Sequence, residues 1–117
     1  MEPIFDRNGR TVAWLDKGVI FDRSNRYRAF IDDGAVYTYS GKYLGVLDEG
    51  FFRDKSGNAV AFMEGAGRGP IPPIPEIPPI PPIPPIPPIS PIPPIPPIPS
   101  IRSFSWSGKS LEIFLAG

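Results

Sequence analysis

The chain has 117 residues with 12 basic and 12 acidic side chains, and it contains neither histidine nor cysteine. The missing imidazoles and thiols exclude cysteine and Ser-His nucleophiles, disulfides and the common zinc sites, and no cofactor is expected. The net charge of zero argues against nucleic acid and anionic lipid as partners, because both need a basic field. The N-terminus lacks the regions of a signal peptide, and outside a proline tract no apolar run reaches about 18 residues, so a cytoplasmic protein is expected.

A sixteen-residue repeat fills most of the first 69 residues, with units at 4–18, 20–34, 36–50 and 52–66 that align without gaps. Each unit carries a turn pair at its fifth and sixth positions: Asn8-Gly9, Ser24-Asn25, Ser40-Gly41 and Ser56-Gly57. Near its end each unit carries an acidic residue followed two places later by Gly or Ala: Asp16, Asp32, Asp48 and Glu64. Two turns leave room for two strands of about five residues, so each unit is predicted to be a β-hairpin.

The residues at the two turns predict two turn types. Asn-Gly and Ser-Gly pairs suit a two-residue type I′ turn, because both central positions need positive φ. The acidic-x-Gly link between units suits a three-residue loop that ends in a left-handed glycine bulge.

Three adjacent columns of the repeat indicate how the hairpins pack. One column is small: Ala13, Ala29, Gly45 and Ala61. The next two are bulky and are predicted core positions: Trp14, Phe30, Val46 and Phe62, then Leu15, Ile31, Leu47 and Met63. A small column fits strands that crowd a central axis. Because closure removes exposed edges, residues 1–69 are predicted to form an all-β, shallow, pseudo-four-fold barrel or ring of four hairpins.

Charged residues at the turns admit two interpretations each. The acidic column at the links could bind calcium if the ring brings its four carboxylates together, although Asp more commonly accepts hydrogen bonds from turn amides. Arg7, Arg23 and Lys55 lie beside acidic residues at the hairpin tips and could form an anion-binding rim. The simpler interpretation is solvated surface pairs, which stabilise little.

A proline tract follows at 70–101, with 18 of the 19 prolines between Pro70 and Pro99 and an isoleucine at every third place from Ile71 to Ile101. Proline fixes φ, so the tract is predicted to be polyproline II with all its isoleucines along one edge. Thirty such residues reach roughly 90 Å when straight, about three times the diameter of a 69-residue domain. A straight rod would carry the tail to another chain, whereas bends near Glu76 or Ser90 would return it to its own ring.

The isoleucines favour a contact surface over a stiff spacer, because a spacer does not need them and leaving them in water is costly. The expected partner is the ring's own groove, the same edge of another copy, or an aromatic-lined domain that binds proline helices. The C-terminal segment, 102–117, is predicted to dock either as a degenerate fifth hairpin or, with a slight preference, as a short helix capped by Ser110.

The four hairpin units, the segment Gly65-Ala66-Gly67-Arg68-Gly69, the Pro-Pro-Ile tract and the terminal Leu111-Glu112-Ile113-Phe114-Leu115 resemble the four-fold beta flower family of small bacterial proteins. The most specific feature is the phrase from Gly57 to Gly65 that leads into the tract. The resemblance implies a shallow pseudo-four-fold barrel, similar in shape to the tubby-like lipid-binding barrels. The family's function is unassigned, so the resemblance implies no catalytic residues.

The sequence therefore predicts a structural or interaction module that is not an enzyme, and that self-assembles or binds another protein through the isoleucine edge. A peripheral lipid-binding barrel is the alternative. The predicted partner-binding residues are Ile74, Ile77, Ile80, Ile83, Ile86, Ile89, Ile92, Ile95, Ile98, Trp106 and Phe114. No catalytic, cofactor or metal residue is predicted, because the repeat supplies the same residue types four times and singles out no unique pair.

Overall fold

Eight antiparallel strands close into a barrel in chain order in the computed structural model, which describes residues 1–117. The strands are β1 (Glu2–Phe5), β2 (Thr11–Asp16), β3 (Val19–Asp22), β4 (Tyr27–Asp32), β5 (Ala35–Thr38), β6 (Tyr43–Asp48), β7 (Phe51–Arg53) and β8 (Ala59–Phe62). A single short helix, α1 (Leu111–Ala116), ends the chain. The predicted ring of four hairpins is confirmed, and so is the C-terminal helix, while no fifth hairpin forms.

The links between hairpins are two-residue turns, which corrects the prediction of three-residue loops. Asp16 pairs with Val19 across the first link. Lys17 and Gly18 between them have φ of 51° and 80°, the positive values that a type I′ turn requires at both central positions.

The hairpin tips are longer than predicted, because an aspartate side chain organises them. At the first tip the Asp6 carboxylate accepts hydrogen bonds from the amides of Asn8 (2.9 Å) and Arg10 (3.0 Å). The left-handed Gly9, with φ of 83°, follows, and the register shifts by one residue after Ile4. Asp22 and Asp54 accept the same pair of amides at their tips. These tip aspartates, and not the acidic column at the links, perform the turn-capping role.

The barrel interior is lined by the small column and by aliphatic residues beside it. Its central side chains are fully buried: Ile4, Ala13, Ile20, Ala29, Val36, Phe52 and Ala61. Gly45 occupies the fourth small position, where a Cβ would lie 1.9 Å from the carbonyl oxygen of Arg53. The strands therefore crowd the axis as predicted. Leu15, Ile31, Leu47 and Met63 pack against this core.

The column Trp14, Phe30, Val46 and Phe62 lies on the outer face of the barrel, which corrects its prediction as a shared core. Each member pairs with a residue of the next hairpin: Trp14 with Phe21, Phe30 with Tyr37, Val46 with Arg53, and Phe62 with Phe5. Three of the four pairs bring aromatic rings together, with centroids 5.4 to 5.6 Å apart. We call these six aromatic residues the aromatic band.

The aromatic band is buried although it faces outward, with exposures of 0 to 4%. Only the proline tract and the C-terminal segment lie outside the barrel wall, so they must cover the band. The hydroxyls of Tyr27 and Tyr37 donate to the carbonyls of Pro85 (2.8 Å) and Pro94 (3.0 Å). The outer face looks like a core in the sequence because the tract covers it.

The tract encircles the barrel, and we call residues 70–101 the proline belt. It contacts the first hairpin at residues 74–76, the second at Pro85, the third at Pro94 and the fourth at 100–101. Each quarter of the circle thus takes about nine residues, or roughly 28 Å of polyproline II. Four quarters give a circumference near 110 Å and a diameter near 35 Å, which matches the molecule's extents of 36 × 35 × 21 Å.

The C-terminal segment closes one end of the barrel. After the belt, Ser105 and Ser107 hydrogen-bond to Ala59 of β8, and Trp106 packs edge-on against Phe51 and Phe62. Helix α1 then places its buried Leu111, Phe114 and Leu115 in the barrel core. The tail therefore docks on its own barrel, at the end where the hairpin tips lie.

Candidate interaction surface

The isoleucines of the belt form one continuous exposed edge around the molecule. All eleven are 90 to 96% exposed: Ile71, Ile74, Ile77, Ile80, Ile83, Ile86, Ile89, Ile92, Ile95, Ile98 and Ile101. Of the seventeen prolines between them, nine are half-buried and eight are exposed. Full exposure of every third residue is the pattern of polyproline II, with the isoleucines toward solvent and the half-buried prolines toward the barrel. We call the eleven side chains the isoleucine rim.

Two of the three non-proline interruptions of the triplet pattern hold the belt in register. Glu76 stands where the pattern has proline, and its amide, which proline lacks, donates to the carbonyl of Gly9 at 2.8 Å. Ser100 also replaces a proline, and its hydroxyl donates to the carbonyl of Lys55 at 2.7 Å. The belt follows the barrel, so Glu76 is a hydrogen-bonded anchor and not the bend that the sequence suggested. Because a slip of three residues would lose both bonds, these interruptions fix the register.

Arg53 joins the two ends of the belt. It is 1% exposed and replaces the aromatic residue that the other three units carry at this position. Its guanidinium donates to the carbonyl of Arg68 (2.7 Å), just before the belt, and to that of Ser103 (2.8 Å), just after it. A third bond reaches Gly57 at 2.7 Å. We call this arrangement of Arg53 the clamp. Its signal in the sequence is a charged residue at a position where the other units carry Phe5, Phe21 and Tyr37, and the sequence analysis did not recognise it.

A small ionic cluster supports the clamp. Burial lowers the pKa of Arg53, and its Nε lies 3.5 Å from the Asp48 carboxylate. Arg102 also binds Asp48, at 2.5 and 3.0 Å, and this hydrogen bond is the main reason that the pKa of Asp48 is lowered. The cluster keeps a carboxylate facing the buried guanidinium.

Of the predicted partner-binding residues, the nine isoleucines share the rim, whereas the two aromatic residues lie elsewhere. Trp106 is half-buried over Phe51 and Phe62, and Phe114 is 3% exposed inside the barrel end. The rim is the surface that this set has in common.

Other potential sites are occupied by internal contacts. No group of three acidic side chains could hold a metal ion, so the link carboxylates do not converge on a calcium site. The largest cavity, about 420 Å³, lies between two hairpin tips and α1. Its carboxylates are all hydrogen-bonded: Asp6 to tip amides, Asp22 to tip amides and Arg28, and Glu112 to Arg28. Arg28 lowers the pKa of Glu112.

The comparisons with known proteins give one match. The family model described as "4-fold beta flower protein" matches residues 2–115. No curated protein and no solved structure matches the chain. None of the protein's helices combines the length and the apolar character needed to cross a membrane.

Proposed function

Since the chain belongs to the 4-fold beta flower family, whose function is unassigned, we propose that it is a non-enzymatic assembly module whose copies associate edge to edge through the isoleucine rim. The observation that carries this proposal is the exposure of all eleven rim isoleucines at 90% or more. Monomeric proteins rarely expose so large a contiguous apolar surface.

The belt does not need isoleucine to hold the barrel. Its prolines cover the aromatic band, and its hydrogen bonds use backbone carbonyls, the Glu76 amide and the Ser100 hydroxyl. A polar residue at every third place would leave those contacts unchanged. The choice of isoleucine therefore indicates a role outside the molecule.

A second copy is the partner that this edge fits. Nine of the seventeen prolines are half-buried against the barrel, so a domain that binds proline pairs would have to displace that part of the belt. Between residues 70 and 101 the only charged residue is Glu76, so two rims meet without repulsion. Isoleucines about 9 Å apart along a polyproline helix can interdigitate with an identical row.

The convex shape of the rim makes each pairwise contact weak. Two discs 36 Å across touch along a short arc, which holds two or three isoleucines from each at a spacing of about 9 Å. Burying about five isoleucines contributes roughly 8 to 15 kcal/mol, close to the cost of association of about 4 to 15 kcal/mol. Because the rim runs around the whole molecule, several neighbours can bind at once, and planar arrays are favoured over dimers.

Sedimentation velocity across a concentration series tests the proposal. The full chain is compared with a variant in which Ile77, Ile83, Ile89 and Ile95, spaced around the circle, are replaced by Thr. These side chains are 90 to 96% exposed, so the fold should persist, and circular dichroism checks that it does. We expect the parent to associate, more strongly in sulfate, and the variant to stay monomeric.

A control variant carries Phe104→Thr and Ile113→Thr, which remove exposed apolar side chains outside the rim (72% and 58% exposed). It should associate like the parent. A parent chain that stays monomeric at all concentrations, or a rim variant that associates as well as the parent, would refute edge-to-edge assembly.

A further inference from the structure

The two ends of the barrel carry opposite charge, although the whole chain is neutral. The hairpin tips lie at one end, together with Arg28, Glu76 and residues 107–117, and this end carries eight basic and five acidic side chains, a net side-chain charge of +3. The links and residues 64–68 lie at the other end with Glu2 and Arg102, and that end carries seven acidic and three basic side chains, a net charge of −4. The antiparallel topology sorts the charges by placing alternate turns at opposite ends.

Part of the basic charge at the tip end is free for a partner, because the side chains of Arg7, Arg10, Lys55 and Lys109 make no hydrogen bond or ion pair within the molecule. The other tip cations have internal contacts: Arg23 donates to the Thr11 carbonyl, Arg26 pairs with Asp22 and Lys42 donates to the Gly117 carbonyl. Six exposed basic residues stand on the four tips: Arg7, Arg10, Arg23, Arg26, Lys42 and Lys55. Lys109 adds a seventh from the C-terminal segment. The three tip aspartates hold turn amides, and Glu112 is bound by both terminal nitrogens of Arg28.

Exposed apolar side chains lie on the same end. Ile113 projects from α1 with 58% exposure, and Phe104, between residues bonded to Gly57 and Ala59, is 72% exposed. The belt passes beside the tips at Gly9 and Gly57, so the isoleucine rim borders this basic end. Cations combined with exposed apolar side chains on one face are typical of proteins that bind membrane surfaces.

We propose that the hairpin-tip end is a docking face for an anionic membrane surface, with the cations at the phospholipid headgroups and Phe104 and Ile113 at the shallow apolar boundary. Charge complementarity between this end, with its net side-chain charge of +3, and an anionic leaflet favours the docking. Because the acidic end points away, the orientation is fixed. Discs lying flat in this way keep their rims in the plane of the membrane, but the docking does not depend on contact between rims.

A second copy stacked head to tail would also match charge, with its acidic end on this basic end. At the acidic end Met1, which is 48% exposed, is the one exposed large apolar side chain that could meet Phe104 and Ile113. A membrane accommodates both the cations and these two side chains, so the observations favour it.

Flotation of the full chain with vesicles of phosphatidylcholine containing about 30 mol % phosphatidylserine tests the proposal. The test variant carries Arg10→Gln and Lys55→Gln, both exposed side chains outside every ion pair. The matched control carries Lys17→Gln and Arg68→Gln, the same change in net charge at the acidic end. We expect the test variant to bind about thirtyfold more weakly and the control to bind at least as well as the parent.

Binding of the parent should disappear at high salt and on pure phosphatidylcholine. Equal binding to neutral vesicles, or equal loss in the test and control variants, would overturn the proposal. A salt-sensitive oligomer that forms without vesicles and is abolished in the test variant would also overturn the proposal, because it would show that this face binds a second copy. The rim variant with four Thr substitutions should float like the parent, which separates failure of docking from failure of assembly.

Discussion

A series of glycine-to-alanine variants at three hairpin tips measures how closely the belt approaches the barrel. Gly57, Gly9 and Gly41 occupy equivalent tip positions with φ of 84°, 83° and 90°. They differ in what a new Cβ would meet. At Gly57 it would lie 2.3 Å from the carbonyl oxygen of Ile101, at Gly9 it would lie 2.9 Å from that of Ile74, and at Gly41 nothing lies within 4 Å.

The series separates two costs. All three variants share the conformational cost of a left-handed alanine, whereas only the variants at Gly57 and Gly9 add a steric clash with the belt. Placing alanine in the left-handed region costs about 1 to 2 kcal/mol, partly offset by about 0.4 to 1 kcal/mol from the restricted unfolded chain. Gly41→Ala should therefore destabilise by about 1 kcal/mol. At Gly57 the end of the belt must also shift, which adds about 1 to 3 kcal/mol of overpacking and strains the bond from the Ser103 amide to the Gly57 carbonyl.

Urea unfolding followed by circular dichroism and by the fluorescence of the two tryptophans, Trp14 and Trp106, provides the free energies of unfolding. We expect the destabilisation to fall in the order Gly57→Ala, Gly9→Ala, Gly41→Ala. Gly41→Ala is the internal control, since it has the same backbone conformation without a belt contact. Three equal destabilisations would mean that the belt does not lie against the tips, and the encircling arrangement would be refuted.

Two further sets of substitutions test how the belt is held. Arg53→Lys should destabilise by about 2 to 5 kcal/mol in urea unfolding, because lysine cannot reproduce the guanidinium fork that reaches both belt ends. Arg102→Lys, at a 40% exposed side chain, should cost less than about 1 kcal/mol, and equal losses would contradict the clamp. Tyr27→Phe and Tyr37→Phe should each lower the melting temperature by removing a bond to the belt worth about 1 kcal/mol. Tyr39→Phe should be neutral or stabilising, since its buried hydroxyl has no partner, and a Tyr39 effect as large as the others would show that the belt bonds contribute nothing.

The sequence predicted the repeat architecture because the information is local and is repeated four times. The sixteen-residue period, the turn pairs and the small column at Ala13, Ala29, Gly45 and Ala61 are sufficient for four hairpins and a crowded axis. The turn types were reversed, since Asp6, Asp22 and Asp54 bond amides two and four residues ahead. That bonding lengthens the tips and leaves the two-residue turns to the links.

The interaction surface was only half predictable. The isoleucine edge follows from proline stereochemistry and a three-residue period, so the sequence located it in full. Arg53 could not be recognised as a clamp, because its acceptors belong to residues 57, 68 and 103, which meet only when the belt closes. Trp14 and Phe30 looked like core because hydrophobicity reports burial without reporting which segment provides the cover.

The sequence by itself determined the local geometry: hairpins from turn residues, and a stiff left-handed helix from proline, whose ring leaves the backbone little choice of φ. Only the tertiary structure decided where that helix goes. A uniform triplet does not specify a path, and the helix encircles the barrel because its length of roughly 100 Å is close to the circumference of that circle. The tertiary structure also decided that a chain of zero net charge has one basic and one acidic end. Net charge is a sum over residues, whereas the field at a surface depends on which turns the topology places side by side.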